Sequence, residues 1–320
     1  MIRTFDPATE DNFNEAGYLA ANPDVERSSK IYAHTAREHF EAHGLQELRR
    51  QFTPEYIEYR NSLQAVKYER FRTTLSASED FQWIRKEGSF PIAAPGVSYT
   101  RDDYLVGESA NRGFRDFIVD IEQHPDQLFV DIGCGVRDEV YENCLYVDVY
   151  PSVSVDVVVS ADCYYPFNDD SFDGVCCAAV LEHVKKPWIV VDEIYRILKP
   201  GGRCYIDWPF LQAVHGYPSH YYNATREGLR SIFAELFSVE TTFTHGAQSP
   251  EFSIIQVLGG FVEEMQDPAL KERFLKLSVA DLLDHPLSDT AFWKPFVETL
   301  SEAAVERLAC GNCLIATKPA

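Results

Sequence analysis

The stretch Leu128-Phe-Val-Asp-Ile-Gly-Cys-Gly135 decides the fold of this chain. Its apolar start predicts a buried strand, and the glycines at 133 and 135 predict a tight turn directly after that strand. Open α/β sheets bind ligands at the carboxyl ends of their strands, so this turn is a candidate binding loop. Asp138 occupies the third glycine position of the G-x-G-x-x-G dinucleotide pattern, which disfavours an NAD site.

Further apolar runs follow, and two of them end on an acidic residue. Leu145-Tyr-Val-Asp148 is one, and Asp156-Val-Val-Val-Ser-Ala-Asp162 is the next. Strands of this kind alternating with helical stretches predict a parallel sheet with crossover helices. An ionised carboxylate only accepts hydrogen bonds, so Asp148 suits the hydroxyl pair of a ribose. The crossovers on either side of the 145–148 strand are unusually short.

Charge excludes several classes of partner. The 320 residues carry 29 Lys and Arg against 50 Asp and Glu, a formal net charge of −21. Binding to nucleic acid is driven by basic side chains that neutralise phosphates, so we expect no nucleic-acid partner. No run of about 18 apolar residues and no leader-like N-terminus occurs, and we therefore expect a cytoplasmic protein without membrane insertion.

The successive motifs are similar to those of class I S-adenosylmethionine-dependent methyltransferases, in particular the type 11 group. The resemblance covers roughly residues 128 to 235. Its motifs are Asp131-Ile-Gly-Cys-Gly135, Asp148, Ala161-Asp162, Pro166-Phe167, Ser171-Phe-Asp173, Val180-Leu-Glu-His-Val184 and Ile197-Leu-Lys-Pro-Gly-Gly202. It implies an α/β fold with a Rossmann-like seven-stranded sheet, S-adenosyl-L-methionine as cofactor, and methyltransferase activity.

The resemblance also implies a role for each cofactor-site residue. Glycines 133 and 135 would leave room for the methionine part, with Asp131 near its ammonium group. Asp148 would accept both ribose hydroxyls, Asp162 would accept the adenine amine, and the Ala178 carbonyl would help to hold the amino-acid end. The expected cofactor residues are Asp131, Gly133, Cys134, Gly135, Asp148, Asp162, Cys163 and Ala178. No metal ligand is expected.

Two further stretches resemble proteins of bacterial surface-glycan synthesis. The first is the N-terminal piece Phe13–Val25 with Glu38–Gly44, similar to a short helical module found beside glycan-assembly enzymes. The second is Pro209-Phe-Leu-Gln212 with His215-Gly-Tyr-Pro218, which resembles a methyltransferase subfamily of such pathways. The implied function is O-methylation of a sugar or sugar nucleotide. The alternatives are methylation of a small metabolite or an amine, and a non-catalytic docking subunit that uses the N-terminal helices to bind a protein partner.

Methyl transfer to a hydroxyl requires a base, and two histidines are candidates for it. His183 lies in Leu181-Glu-His-Val184 and His215 in a loop rich in glycine, proline and aromatic residues. A buried His183 that only orients its loop is an equally good interpretation, and His215 fits a substrate wall better than a base.

The pattern predicts three parts: a helical module over 1–50, a helical segment with a linker over 51–107, and the methyltransferase domain over 108–320. Within the domain we expect a sixth strand near Phe237–Phe243, a helical insertion of about 65 residues, and a closing antiparallel strand over Ala309–Lys318.

Overall fold

A computed structural model gives the arrangement of most of the chain. It describes residues 5–22, 25, 34–76, 82–83, 89–93, 113–150, 152–160, 164–216, 219–244, 248–286 and 288–308. Residue contacts group the chain into two compact units. The first comprises Met1–Trp208 and Arg226–Val239, and the second comprises Pro209–Thr225 and Glu240–Ala320.

A seven-stranded sheet forms the centre of the first unit. Its order is β3-β4-β7-β6-β5-β8-β9, with every neighbouring pair parallel except the edge pair β3 and β4. The strands are β3 Gln82–Trp83, β4 Ile92–Ala93, β5 Phe129–Ile132, β6 Cys144–Asp148, β7 Val157–Val158, β8 Phe172–Ala178 and β9 Leu198–Asp207. The expected α/β class with a Rossmann-like sheet is confirmed.

Central strands of this sheet are buried on both faces, which explains their continuous apolar runs. All residues of β5 and β6 are buried, including the acidic Asp131 and Asp148. Between them, residues 133–143 form no helix, so the short crossover predicted from the spacing is confirmed. This places the glycine turn directly beside the end of β6: the amides of Gly133 and Cys134 both donate to the carbonyl of Val147, at 2.8 and 3.1 Å.

Helices and a small hairpin complete the first unit. Strand β1 (Phe5–Pro7) pairs antiparallel with β2 (Arg50–Phe52). The helices are α1 Glu15–Ala21, α2 Ala36–His39, α3 Pro54–Phe71, α4 Arg115–Gln123, α5 Pro187–Ile197 and α6 Arg226–Ala234, and a π-helical turn over Phe40–Gly44 extends α2. Thr53 caps α3 by accepting from the amide of Tyr56, and Pro54 stands at its first position, where proline is well tolerated.

In the second unit the described residues from 250 onward are mainly helical, whereas 209–216, 219–225 and 240–244 are irregular. Its helices are α7 Pro250–Glu264, α8 Pro268–Leu275, α9 Val279–Asp284, α10 Thr290–Val297 and α11 Glu302–Leu308. A cluster of Met265, Phe274, Phe292 and Phe296 is its core. The helical character expected for this stretch is confirmed. Among the described residues of both units, no helix combines the length and the apolar character needed to cross a membrane.

Two expectations about the sheet differ from the structure. Residues 237–243 are irregular, so the expected sixth strand there is wrong. The sheet nevertheless has seven strands among the described residues, because β3 and β4 come from the segment that precedes residue 107. Short strands with few apolar residues give no clear alternation, which is why the sequence did not reveal them. The closing strand expected over 309–318 lies outside the described residues.

The three-part division at 50 and 107 stays a prediction, but the contacts run across both boundaries. Residues 1–93, as far as described, group with the sheet. Helix α3 contacts the sheet through Arg60 and Lys67, whose side chains reach Asp156 at the start of β7. A boundary read from composition does not register such buried charges, because Arg and Lys in a helix normally indicate an exposed face.

Candidate functional site

Asp148 ends β6 at the carboxyl edge of the sheet, and its carboxylate is held by backbone amides. The amide of Gly135 donates to Oδ2 at 2.7 Å, and the amide of Tyr150 donates to Oδ1 at 3.0 Å. Burial raises the pKa of Asp148 above its usual value, while these backbone hydrogen bonds oppose the rise. Asp148 is 9% exposed, so it is buried but not completely so. A carboxylate with four lone-pair sites can still accept from further donors.

The glycine turn that precedes Asp148 has a backbone that other residues would not adopt. Gly133 has φ +70° and Gly135 has φ +58°, both in the left-handed region. A Cβ on Gly133 would lie 2.0 Å from Cγ2 of Val180, so that position also lacks space for a side chain. The turn therefore presents bare backbone beside the Asp148 carboxylate.

Asp131 lies in β5 and Cys134 in the glycine turn that follows it, and each is buried. Asp131 is 3% exposed, and its two oxygens accept from Nε and Nη2 of Arg137 at 2.7 and 3.0 Å. Such bidentate pairs are strong. Cys134 is fully buried, and burial raises the pKa of its thiol. The expected role of Asp131 beside an ammonium group stays a prediction, and the structure adds Arg137 to any such site.

The β8 end contributes the last of the described cofactor candidates. Ala178 is the final residue of β8 and is 3% exposed. The next residue, Ala179, has φ +54°, a conformation that costs energy outside glycine and is common at functional sites. Its amide donates to the carbonyl of Asp207 at 2.9 Å, which ties the end of β8 to the end of β9. Asp162 and Cys163 lie outside the described residues.

A short 3₁₀ turn, Leu181–His183, follows and holds a buried carboxyl group. Glu182 is fully buried, and neither of its oxygens has a hydrogen-bond partner within the described part of the chain. Burial, with a smaller contribution from Asp207, raises its pKa to about 8. The nearest charge partner is His183, with Nε2 3.8 Å from Oε1 of Glu182. The sequence alone does not distinguish this glutamate from an exposed one.

His183, the first candidate base, lies in the first unit. Its side chain is 17% exposed, and its amide donates to the carbonyl of Val180 at 2.9 Å. It is therefore neither a core residue nor fully solvated.

His215, the second candidate, lies in the second unit beside His220. The Nδ1 atom of His215 is 2.8 Å from the carbonyl of Ala213, and because a carbonyl only accepts, Nδ1 carries the proton in the neutral ring. This leaves Nε2 as the basic nitrogen. His220 stacks edge-on at 4.5 Å between ring centroids, and burial lowers its pKa. The two histidine candidates are thus placed in different units, and their roles stay predictions.

S-adenosylmethionine is the group that the sequence implies, and the carboxyl edge fits it at two points. Its ribose diol needs a hydrogen-bond acceptor. The Asp148 carboxylate lies at the carboxyl edge of the sheet and is already oriented by two backbone amides. Its amino-acid part needs close backbone approach, which the left-handed glycines permit. At a third point, Asp131, the carboxylate is shared with Arg137.

Comparisons with known proteins find similarity to methyltransferases in the same stretch of the chain. Residues 130–206 match the family described as "Methyltransferase domain". The bovine protein named "Probable tRNA methyltransferase 9B" is 33% identical over 99 residues, 27% of this chain and 22% of the relative. The demethylmenaquinone methyltransferase of Renibacterium salmoninarum is 28% identical over 130 residues, 36% of this chain and 54% of the relative.

Among solved structures, phosphoethanolamine N-methyltransferase 2 of Haemonchus contortus in complex with S-adenosyl-L-methionine is 22% identical. The match covers 58% of this chain and 49% of that one, with a TM-score of 0.33. The chain thus spans about half or less of each of these relatives. Residues 130–206 of this chain are thus similar to a methyltransferase domain, and the glycine turn and Asp148 both lie inside this stretch.

Proposed function

We propose that this chain transfers a methyl group from S-adenosylmethionine to a hydroxyl of a sugar or sugar nucleotide in surface-polysaccharide synthesis. The observation that carries the methyltransferase part is the Gly135–Asp148 pair: an oriented acceptor beside a bare glycine turn, inside the matched domain. The sugar rests on the resemblance of Phe13–Gly44 and of residues 209–218 to proteins of glycan pathways.

The chain's own residues have two tasks in this reaction: they hold the methyl donor and they take the proton of the acceptor hydroxyl. When bound, the cofactor supplies a methyl group already activated on a sulfonium sulfur. Asp148 and the glycine turn hold the donor, so that the acceptor oxygen meets the methyl carbon in line with the breaking bond to sulfur. A base takes the hydroxyl proton, and His183 and His215 are the proposed candidates. General-base catalysis of this kind supplies roughly 10²- to 10⁴-fold in rate.

The acceptor we propose is small or glycan-like, not nucleic acid. The formal charge of −21 repels phosphate backbones at any distance within the screening length. The proposal includes a protein partner that binds through the N-terminal helices α1 and α2.

A methyl-transfer screen tests the proposal. Purified chain is incubated with labelled S-adenosylmethionine and four acceptor classes: sugar nucleotides, oligosaccharides, demethylmenaquinone-type quinols and small amines. The Asp148→Asn variant is the control, because it keeps the shape of the side chain and removes its charge. Label in a sugar hydroxyl, lost in the variant, is the expected result. Label only in a quinol or an amine contradicts the sugar assignment, and no transfer to any acceptor contradicts the enzyme assignment.

A further inference from the structure

Helix α3 carries two buried cations toward the sheet. The side chains of Arg60 and Lys67 are 4% and 0% exposed, and both reach the fully buried carboxylate of Asp156. Nη2 of Arg60 lies 2.7 Å from Oδ1, and the ammonium of Lys67 pairs with Oδ2. Burial of charge is costly, and such clusters are poor sources of stability, so conformational specificity is the better explanation for their presence.

Arg60 also holds three consecutive backbone carbonyls. Its Nε donates to the carbonyl of Val153 at 2.9 Å, and its Nη2 lies 3.2 and 3.1 Å from the carbonyls of Ser154 and Val155. Lysine has one compact ammonium and cannot span this set, whereas the planar guanidinium presents several donors in fixed directions. Arg60 thus fixes the backbone of the loop 152–156.

That loop in turn holds the glycine turn of the proposed donor site. The hydroxyl of Ser152 donates to the carbonyl of Gly135 at 2.6 Å. The hydroxyl of Ser154 accepts from the amide of Arg137 at 2.9 Å, and Ser154 is fully buried. Two hydrogen bonds therefore lead from the Arg60-bound loop to the residues on which the Gly135–Asp148 pair depends.

We infer that Arg60 is a positioning residue for the methyl-donor site. It fixes the 152–156 loop, and this loop fixes the glycine turn against Asp148. The inference deepens the proposed function and rests on it for the identity of the ligand. It places part of the donor site's support on α3, which lies outside the matched methyltransferase domain at 130–206.

Two substitutions on α3 test this inference. Arg60→Lys keeps a cation near Asp156 and loses the fork on the carbonyls. Arg70→Lys is the matched control, because Arg70 is on the same helix and also bonds a backbone carbonyl, that of Pro125, away from the glycine turn.

Amide hydrogen exchange on the ligand-free full chain is the first readout. In Arg60→Lys, the amides of Gly135 and Arg137 should exchange about five- to tenfold faster than in wild type, which corresponds to loss of about one hydrogen bond's net contribution. In Arg70→Lys they should exchange at the wild-type rate. Wild-type exchange in Arg60→Lys, or equal acceleration in both variants, overturns the inference.

Calorimetry with S-adenosylhomocysteine and steady-state kinetics are the second readout. Arg60→Lys should raise the Kd for S-adenosylhomocysteine and the KM for the methyl donor about five- to tenfold. The kcat at saturating donor should stay within about twofold of wild type. A lower Tm with unchanged Kd would mark a purely structural role and overturn the inference. Absence of binding by wild type contradicts the proposed function, and the exchange rates still decide the positioning role.

If Arg60→Lys does not fold, Ser152→Ala carries the same test and leaves α3 intact. It removes the hydrogen bond to the Gly135 carbonyl, together with the one that the Ser152 hydroxyl accepts from the amide of Ser154 at 3.2 Å. Faster exchange at Gly135 and Arg137 supports the inference, and unchanged exchange overturns it.

Discussion

Glu182→Gln should make folding stability much less sensitive to pH. Glu182 is fully buried without a hydrogen-bond partner in the described chain, and its pKa is raised to about 8 from an ordinary value of 4.5. A carboxyl group with a raised folded-state pKa contributes stability that is complete below pH 4.5 and is lost as the pH rises toward 8. Between pH 5 and pH 7 the Glu182 carboxyl should therefore lower the free energy of unfolding of the wild-type chain by up to about 2.7 kcal/mol, at roughly 1.36 kcal/mol per pH unit.

Glutamine has the same shape and no charge, so the variant should not show this loss. Urea unfolding at pH 5 and pH 7 measures the difference, with Glu58→Gln, an exposed position on α3, as the control for the substitution itself. The expected result is that Glu182→Gln gains about 2 to 3 kcal/mol relative to wild type on going from pH 5 to pH 7. An equal difference at both pH values would refute the reasoning, because it would mean that the buried carboxyl is ionised in the folded chain.

Three further predictions follow from the same contacts. Gly133→Ala should destabilise the fold by at least about 1 kcal/mol, because φ is +70° and the new Cβ meets Val180, and a thermal melt within error of wild type contradicts this. A chain that lacks residues 1–97 should be insoluble, because it loses a parallel strand and both buried cations, whereas soluble material with native circular dichroism contradicts it. Replacing His183 or His215 with Ala should lower kcat about 100-fold if that histidine is the base. Unchanged kcat in both variants removes both candidates.

The sequence predicted the central part of the fold because its signal there is redundant. Strands β5, β6 and β8 are largely apolar runs, and glycines or acids stand at or near their ends, so several independent patterns agree. Gly133, Gly135 and Asp148 are found together at the carboxyl edge for the same reason. Their positions at the ends of successive strands were enough to predict that these three residues lie close together.

The remaining features depend on contacts between distant residues, which periodicity does not report. Arg60 and Lys67 are residue types typical of an exposed helix face, yet both are buried here, and both pair with the carboxylate of Asp156. Arg137 donates hydrogen bonds to the carboxylate of Asp131, which lies six positions earlier in the sequence. Within the described residues, the buried carboxyl of Glu182 has no hydrogen-bond partner. Whether a side chain has such a partner depends on the fold around it, and no pattern of residues indicates that.

Calorimetric titration of the full chain with S-adenosylhomocysteine tests the central claim most directly. The account predicts one binding site in wild type and at least about tenfold weaker binding in Asp148→Asn, because hydrogen bonds from two ribose hydroxyls to a charged acceptor contribute roughly 1.5 to 3 kcal/mol. Absence of binding by folded wild-type chain would contradict the donor site itself, and equal affinity in the variant would contradict the role of Asp148.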